Sequence, residues 1–181
     1  MAEELKVNEE DIVDFDLSLV DCQPSALIGL HKEFLSSPRM DNMVSSLCSL
    51  DSIIEYAGHA GPKTGIASIF LFDHEEVGST SMQGANSNMI LEVSERIFKN
   101  LAPTGKNSQE DYFIMMRNSM IVSADMAHAI HPNYPEYHQE SNAPKMQEGI
   151  ILKVSAGQKY TTDAVTTAIL REVAGLVDVP L

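Results

Sequence analysis

The residues best suited to chemistry in this chain are carboxylates. Asp41 stands where a helical pattern begins. Glu75 and Glu76 follow an apolar run, and Asp125 follows another. In open α/β sheets the ligand crevice lies outside the carboxyl ends of the strands. Carboxylates converging there repel one another unless cations neutralise them. A pair of divalent metals does this, and it also polarises a carbonyl and lowers the pKa of a bridging water. Glu75 and Glu76 are adjacent, so on a regular strand they would point to opposite faces. Where the backbone turns past a strand end, both can approach one centre, one as ligand and its neighbour as proton acceptor. The plainer readings stand beside this one. An adjacent glutamate pair is often just a solvated acidic patch, and Asp41 also reads as a helix N-cap.

His128 and His131 form an H-x-x-H pair. On a helix this spacing would put two imidazoles on one face as a metal site. Pro132 argues against a helix there, which leaves substrate hydrogen bonding or a structural role. Lys153 lies inside an apolar run, where a charged side chain usually faces solvent. Gly78 to Gly84 lacks the Lys-Ser/Thr that a phosphate-binding loop needs.

The elements that must position these groups have α/β punctuation. Ile12 to Asp21 alternates apolar and acidic residues, as in a half-buried strand. Met43, Val44, Leu47, Leu50 and Ile54 follow a helical period, with Asp41 or Asn42 as cap. Gly58 to Gly65 reads as a loop. Ile66 to Phe72 reads as a central strand covered on both faces, followed by a Gly- and Ser-rich segment to Ser87. Ile90, Val93, Ile97 and Leu101 mark one face of a helix. Pro103 to Asp111 reads as a polar loop. Ser119 to Ser123 and Ile150 to Ser155 read as further strands, with irregular chain from Ala129 to Pro144 between them. Asp163 to Leu176 closes the pattern as an amphipathic helix with Val165, Ile169, Val173 and Leu176 inward.

The 181 residues are enough for about one domain. Hydrophobic residues make up 44% and charged residues 21%, a globular composition. Twelve Lys and Arg against 26 Asp and Glu give a net charge of −14. A nucleic-acid or anionic-membrane partner needs a basic footprint, so neither is expected. Cys22 and Cys48 are the only cysteines. With no signal-like apolar stretch at the N-terminus, they point to reduced thiols in a cytoplasmic protein.

Three ordered segments carry a resemblance. Pro38-Arg39-Met40-Asp41-Asn42 resembles a P-R-L-D-N motif. Leu71 to Ser79, followed by Gln83-Gly84-Ala85, and then Ser123 to Tyr134, resemble two further motifs of the same family in the same order. The family is the aspartyl aminopeptidases, the M18 zinc metallopeptidases, and the similarity covers nearly the whole chain. The resemblance implies a three-layer α/β sandwich with a central mixed sheet, and a dinuclear zinc exopeptidase that removes N-terminal Asp or Glu from peptides. Zinc, manganese and cobalt all accept such ligands. By the same resemblance Asp41 is the carboxylate bridging the two metals, and Glu75 is the general base. Glu76 and Asp125 are ligands, and His128, Lys153 and Tyr160 bind substrate. Full-length members form homo-oligomers.

The resemblance also carries departures. Family members have one histidine ligand before the region of Asp41 and another after the region of Leu181. None of His31, His59, His74 or His138 aligns with either. The expectation is therefore a single partial catalytic domain over residues 1–181, with residues ~1–20 as the tail of an inserted dimerisation domain. Each metal would lack one ligand within this stretch. Two readings follow: an aminopeptidase core that is active together with further segments, or a catalytically inactive truncated homologue acting as a structural or interaction subunit. A metal-dependent phosphatase or nuclease also uses paired carboxylates, but the three motifs set it well behind.

Overall fold

The computed structural model describes residues 1–61 and 65–181. The middle of the loop expected at Gly58 to Gly65, residues 62–64, lies outside the described residues. The chain forms two compact units, Met1–Asn118 and Ser119–Leu181.

The first unit opens with a one-turn helix, α1 (Ala2–Leu5), and a 3-10 turn at Glu9–Asp11. The strand expected over Ile12 to Asp21 does not form. A strand is held by the N–H and C=O groups of a neighbour, and among the described residues this stretch joins no ladder. The hairpin lies further on. β1 (Ala26–Ile28) pairs antiparallel with β2 (Phe34–Ser36), with Leu27 opposite Leu35. Gly29, at φ 97°, makes the turn out of β1 in a conformation that favours glycine.

Helix α2 (Met40–Gly58) carries the periodicity of Met43 to Ile54, and its regular turns start only beyond Asn42. Asp41 (φ −85°, ψ 110°) and Asn42 (φ −118°, ψ 27°) depart from helical geometry. Helix α3 (Met89–Leu101) forms where its spacing predicts, but on the expected face Val93 and Leu101 are exposed, and the buried residue is Phe98. Helix α4 (Gln109–Arg117) begins inside the stretch Pro103 to Asp111 expected as a polar loop and corrects that reading. It begins with a capping box: the Ser108 hydroxyl accepts the Asp111 N–H (3.1 Å), and the Asp111 carboxylate accepts the Ser108 N–H (3.1 Å). Phe98 of α3 and Tyr112 of α4 form the unit's buried side-chain pair, with ring centroids 5.7 Å apart and exposures of 8% and 5%. The Tyr112 hydroxyl donates to the Leu91 carbonyl at 3.2 Å. Desolvation raises its pKa, with the Glu95 charge adding to the effect.

The second unit holds 3-10 turns at Pro135–Tyr137 and Glu140–Asn142 and one helix, α5 (Ala164–Leu176). Asp163 caps α5, accepting the Thr166 N–H at 2.8 Å. The Ile150 N–H donates to the Pro180 carbonyl at 3.0 Å. A Cβ at Gly149 would collide with that carbonyl, so only glycine lets the two segments approach.

The runs 66–72, 119–123 and 150–155 join no ladder among the described residues. Their apolar side chains stay uncovered, Ile121 at 72% and Val154 at 65% exposed. The face of α5 expected inward is also open, with Val165, Ile169, Val173 and Leu176 all exposed; the buried residue of α5 is Ala174. The physical reason is common to these cases. A buried face needs a second layer against it, and the described sheet is a single two-stranded hairpin. No helix among the described residues is long and apolar enough to cross a membrane.

Candidate functional site

In the first unit the site residues sit on a closed loop that follows Phe72. The Asp73 N–H donates to the Gln83 carbonyl (3.0 Å), which joins the loop's two ends. Within it the Gly78 N–H reaches the Glu75 carbonyl (3.0 Å) and the Ser79 N–H reaches that of His74 (2.9 Å). His74 (φ 60°), Gly78 (φ 106°) and Ser79 (φ 64°) are left-handed, so the chain reverses on either side of Glu75 and Glu76. The adjacent glutamates therefore stand on a turn, as the sequence suggested, and both are exposed. The loop is fastened by side chains as well, with His74 Nδ1 2.6 Å from Ser81 Oγ. Gly84 is buried under the loop, and a Cβ there would strike the Ser79 carbonyl, which also accepts the Asn86 N–H at 3.0 Å. Asp41 is exposed at the non-helical start of α2, and the Asp41–Asn42 peptide bond is cis.

In the second unit Lys153 is not turned to solvent. Its Nζ lies 2.6 Å from Asp125 Oδ2 and 3.2 Å from the Met126 carbonyl oxygen, and its side chain is 30% exposed. Two groups 28 positions apart in sequence thus form one ion pair. In a partly buried setting the ammonium gains both an opposite charge and a carbonyl acceptor.

His128 and His131 lie on irregular chain, consistent with Pro132. Their Nδ1 atoms are already engaged, His128 with the Ala129 carbonyl (3.1 Å) and His131 with the Asn133 N–H (3.1 Å). A carbonyl only accepts, so His128 holds its hydrogen on Nδ1; His131 accepts there and holds its hydrogen on Nε2 when neutral. With Ala129, Tyr134, Tyr137 and His138 they line a cleft of about 380 Å³. Tyr160 is exposed, on a bend following the turn at 156–157.

The carboxylates named for metal binding do not form a metal site by themselves. Among the described residues no group of three or more His, Cys, Asp or Glu side chains is placed to hold a metal ion. Sequence reasoning also passed over Ser81 and the aromatic side chains of the His128 cleft. Pro135, at the first position of a 3-10 turn, was the available sign that the chain folds back there.

Residues 1–181 match the family model described as aminopeptidase I zinc metalloprotease (M18). The chain is 39% identical over 184 residues to a probable aspartyl aminopeptidase of Ricinus communis, covering 100% of this chain and 37% of that protein. It is 39% identical over 180 residues to aspartyl aminopeptidase 1 of Schizosaccharomyces pombe, covering 98% of this chain and 37% of that protein. Among solved structures, the crystal structure of yeast aminopeptidase 1 (Ape1) superposes with a TM-score of 0.77 at 30% identity, covering 96% of this chain and 39% of that one. The S. cerevisiae mApe1 dodecamer gives 0.77 at 31% identity, again covering 96% and 39%. The chain thus spans a little over a third of the length of the curated relatives it matches. Matched along its whole length, the chain belongs to the M18 family of aminopeptidase I zinc metalloproteases.

Proposed function

We propose that residues 1–181 form part of the catalytic domain of an aminopeptidase that removes N-terminal Asp or Glu from peptides. The observation that carries the substrate class is the 39% identity, over nearly the whole chain, to proteins named aspartyl aminopeptidases. A chain of net charge −14 does not draw an acidic substrate by its overall field, so a fixed local cation is needed. Lys153 would supply that cation to the substrate's acidic side chain once Asp125, its partner here, turned to the metal. His128 and Tyr160 contact the rest of the substrate.

Glu75 is the general base. It stands exposed on its turn, accepts a proton as a water oxygen attacks the scissile carbonyl carbon, and returns it to the leaving amine nitrogen as the C–N bond breaks. Asp41, Glu76 and Asp125 would each be a zinc ligand, and bound zinc would polarise the scissile carbonyl and lower the pKa of a bound water. A complete site would need further ligands, since zinc takes about four. In the complete domain the runs 66–72, 119–123 and 150–155 are strands of a three-layer α/β sandwich. Their exposed apolar side chains support this, because such faces are stable only under a second layer. Residues ~1–20 belong to an inserted dimerisation domain, and the protein is a cytoplasmic homo-oligomer.

The test is hydrolysis of Asp-, Glu- and Leu-anilides by a complete M18 enzyme carrying this sequence. A clear preference for Asp and Glu is expected. Equal or faster cleavage of the Leu substrate would overturn the substrate assignment.

A further inference from the structure

We propose that His138 is a positioning residue that sets the orientation of His128. The inference rests on the reading of His128 as a substrate contact. The chain between the two histidines is folded back by successive turns. The Tyr134 N–H donates to the His131 carbonyl (3.0 Å), that of Tyr137 to Tyr134 (3.2 Å) and that of His138 to Pro135 (3.0 Å). Pro135 starts the 3-10 turn, and its fixed φ suits that position. The turns bring the His138 ring against the His128 ring, with centroids 5.3 Å apart and planes at 83°. This is the edge-to-face geometry that aromatic rings prefer.

Two further observations separate this contact from ordinary filling. Both rings line the same cleft of about 380 Å³, so the contact forms part of the wall that a ligand meets. In addition, His138 Nδ1 is enclosed by protein and has no hydrogen-bond partner among the described residues. An enclosed polar atom without a partner opposes folding, so His138 is a poor choice for stability alone. Its ring restrains His128 on one side while the Ala129 carbonyl holds His128 Nδ1 at 3.1 Å. Together they fix the ring plane, and His128 Nε2 makes no hydrogen bond among the described residues.

The experiment uses the complete, metal-loaded M18 enzyme carrying this sequence. His138→Ala should lower kcat/KM by roughly tenfold or more, since small misplacements of a substrate contact are costly. Metal content should not change. His138→Phe keeps the ring and removes the orphan nitrogen, so it should restore activity close to that of the parent. If His138 acts through His128, the double variant His128→Ala/His138→Ala should be no slower than His128→Ala alone. A double variant whose losses multiply would overturn the proposal, as would full activity in His138→Ala. The NMR resonances of the His128 ring provide an arm independent of turnover. They should shift in His138→Ala and return in His138→Phe, and unchanged resonances would overturn the proposal. If His128→Ala keeps full activity, the substrate role of His128 fails, and the resonances alone then decide whether His138 positions it.

Discussion

Lys153 and Asp125 form an ion pair 2.6 Å long between segments 28 residues apart in sequence. The ammonium also donates to the Met126 carbonyl at 3.2 Å. A lysine that the apolar run alone would send to solvent is held instead beside a carboxylate proposed to bind metal. The charge proposed to select acidic substrates and the charge proposed to bind the cation are therefore neighbours.

Lys153→Met should raise KM for substrates with N-terminal Asp far more than for neutral substrates. Loss of a partly buried, hydrogen-bonded charge contact costs about 2 kcal/mol or more, roughly 30-fold in kcat/KM. Steady-state kinetics on Asp- and Leu-anilides check this. Equal losses on both substrates would remove Lys153 from the specificity pocket.

Glu75 and Glu76 share one turn and should fail differently. Glu75→Gln keeps the shape and removes the proton acceptor, which should cost ~10²–10⁴-fold in rate with metal content nearly unchanged. Glu76→Gln removes an anionic ligand, so metal occupancy should fall first and activity should follow it. Metal analysis and turnover on both variants decide the assignment. Loss of metal from Glu75→Gln alone would exchange the two roles, and full activity in both would end the assignment of this turn to the active site.

Gly84→Ala should disturb the same turn from beneath. The new Cβ meets the Ser79 carbonyl, which also accepts the Asn86 N–H. Overpacking of this kind costs about 1–3 kcal/mol, and here it also displaces the loop carrying Glu75 and Glu76. Thermal denaturation should show a lowered midpoint, with activity falling further than stability alone explains. A variant with unchanged midpoint and rate would show that the loop gives way freely.

The cap of α5 predicts a pH dependence. Hydrogen bonds from the backbone N–H of Thr166, and then from its side chain, hold the Asp163 carboxyl below its ordinary pKa. The folded state thus binds this proton less readily than the unfolded chain. The stabilisation is present above the unfolded value of about 3.9 and is lost as the pH falls through the lower folded value. Circular dichroism from pH 5 downward should show helix loss in the parent. Asp163→Asn keeps an N-capping oxygen without the charge, so its helix signal should change less over the same range. Identical titrations would assign the acid transition to other carboxylates.

Divalent metal should bind weakly to residues 1–181 alone. Three retained carboxylates are proposed as ligands, yet no group of ligands forms among the described residues. Calorimetric titration with zinc should find no tight site. Two tight sites per chain would show that the ligand set has been misread.

The elements legible in the sequence are those stabilised within themselves. Helix α3 was visible in the spacing of Ile90, Val93, Ile97 and Leu101 because a helix closes its own hydrogen bonds. Helix α5 was visible for the same reason, with Asp163 counted in the helix where it stands as the cap. The turn at Glu75 and Glu76 was legible from the Gly-Ser chemistry that follows it. Helix α4 was legible in principle from the Ser108-x-x-Asp111 box, but its polar first turn reads equally as loop. The runs 66–72, 119–123 and 150–155 have strand composition, yet a strand exists only through its neighbour. Only the tertiary structure could decide three further points. Lys153 faces Asp125, His138 packs on His128, and Gly84 lies beneath the Ser79 carbonyl. In each case the two partners are brought together by turns between them, and a residue's type and its immediate neighbours do not specify where such turns send the chain.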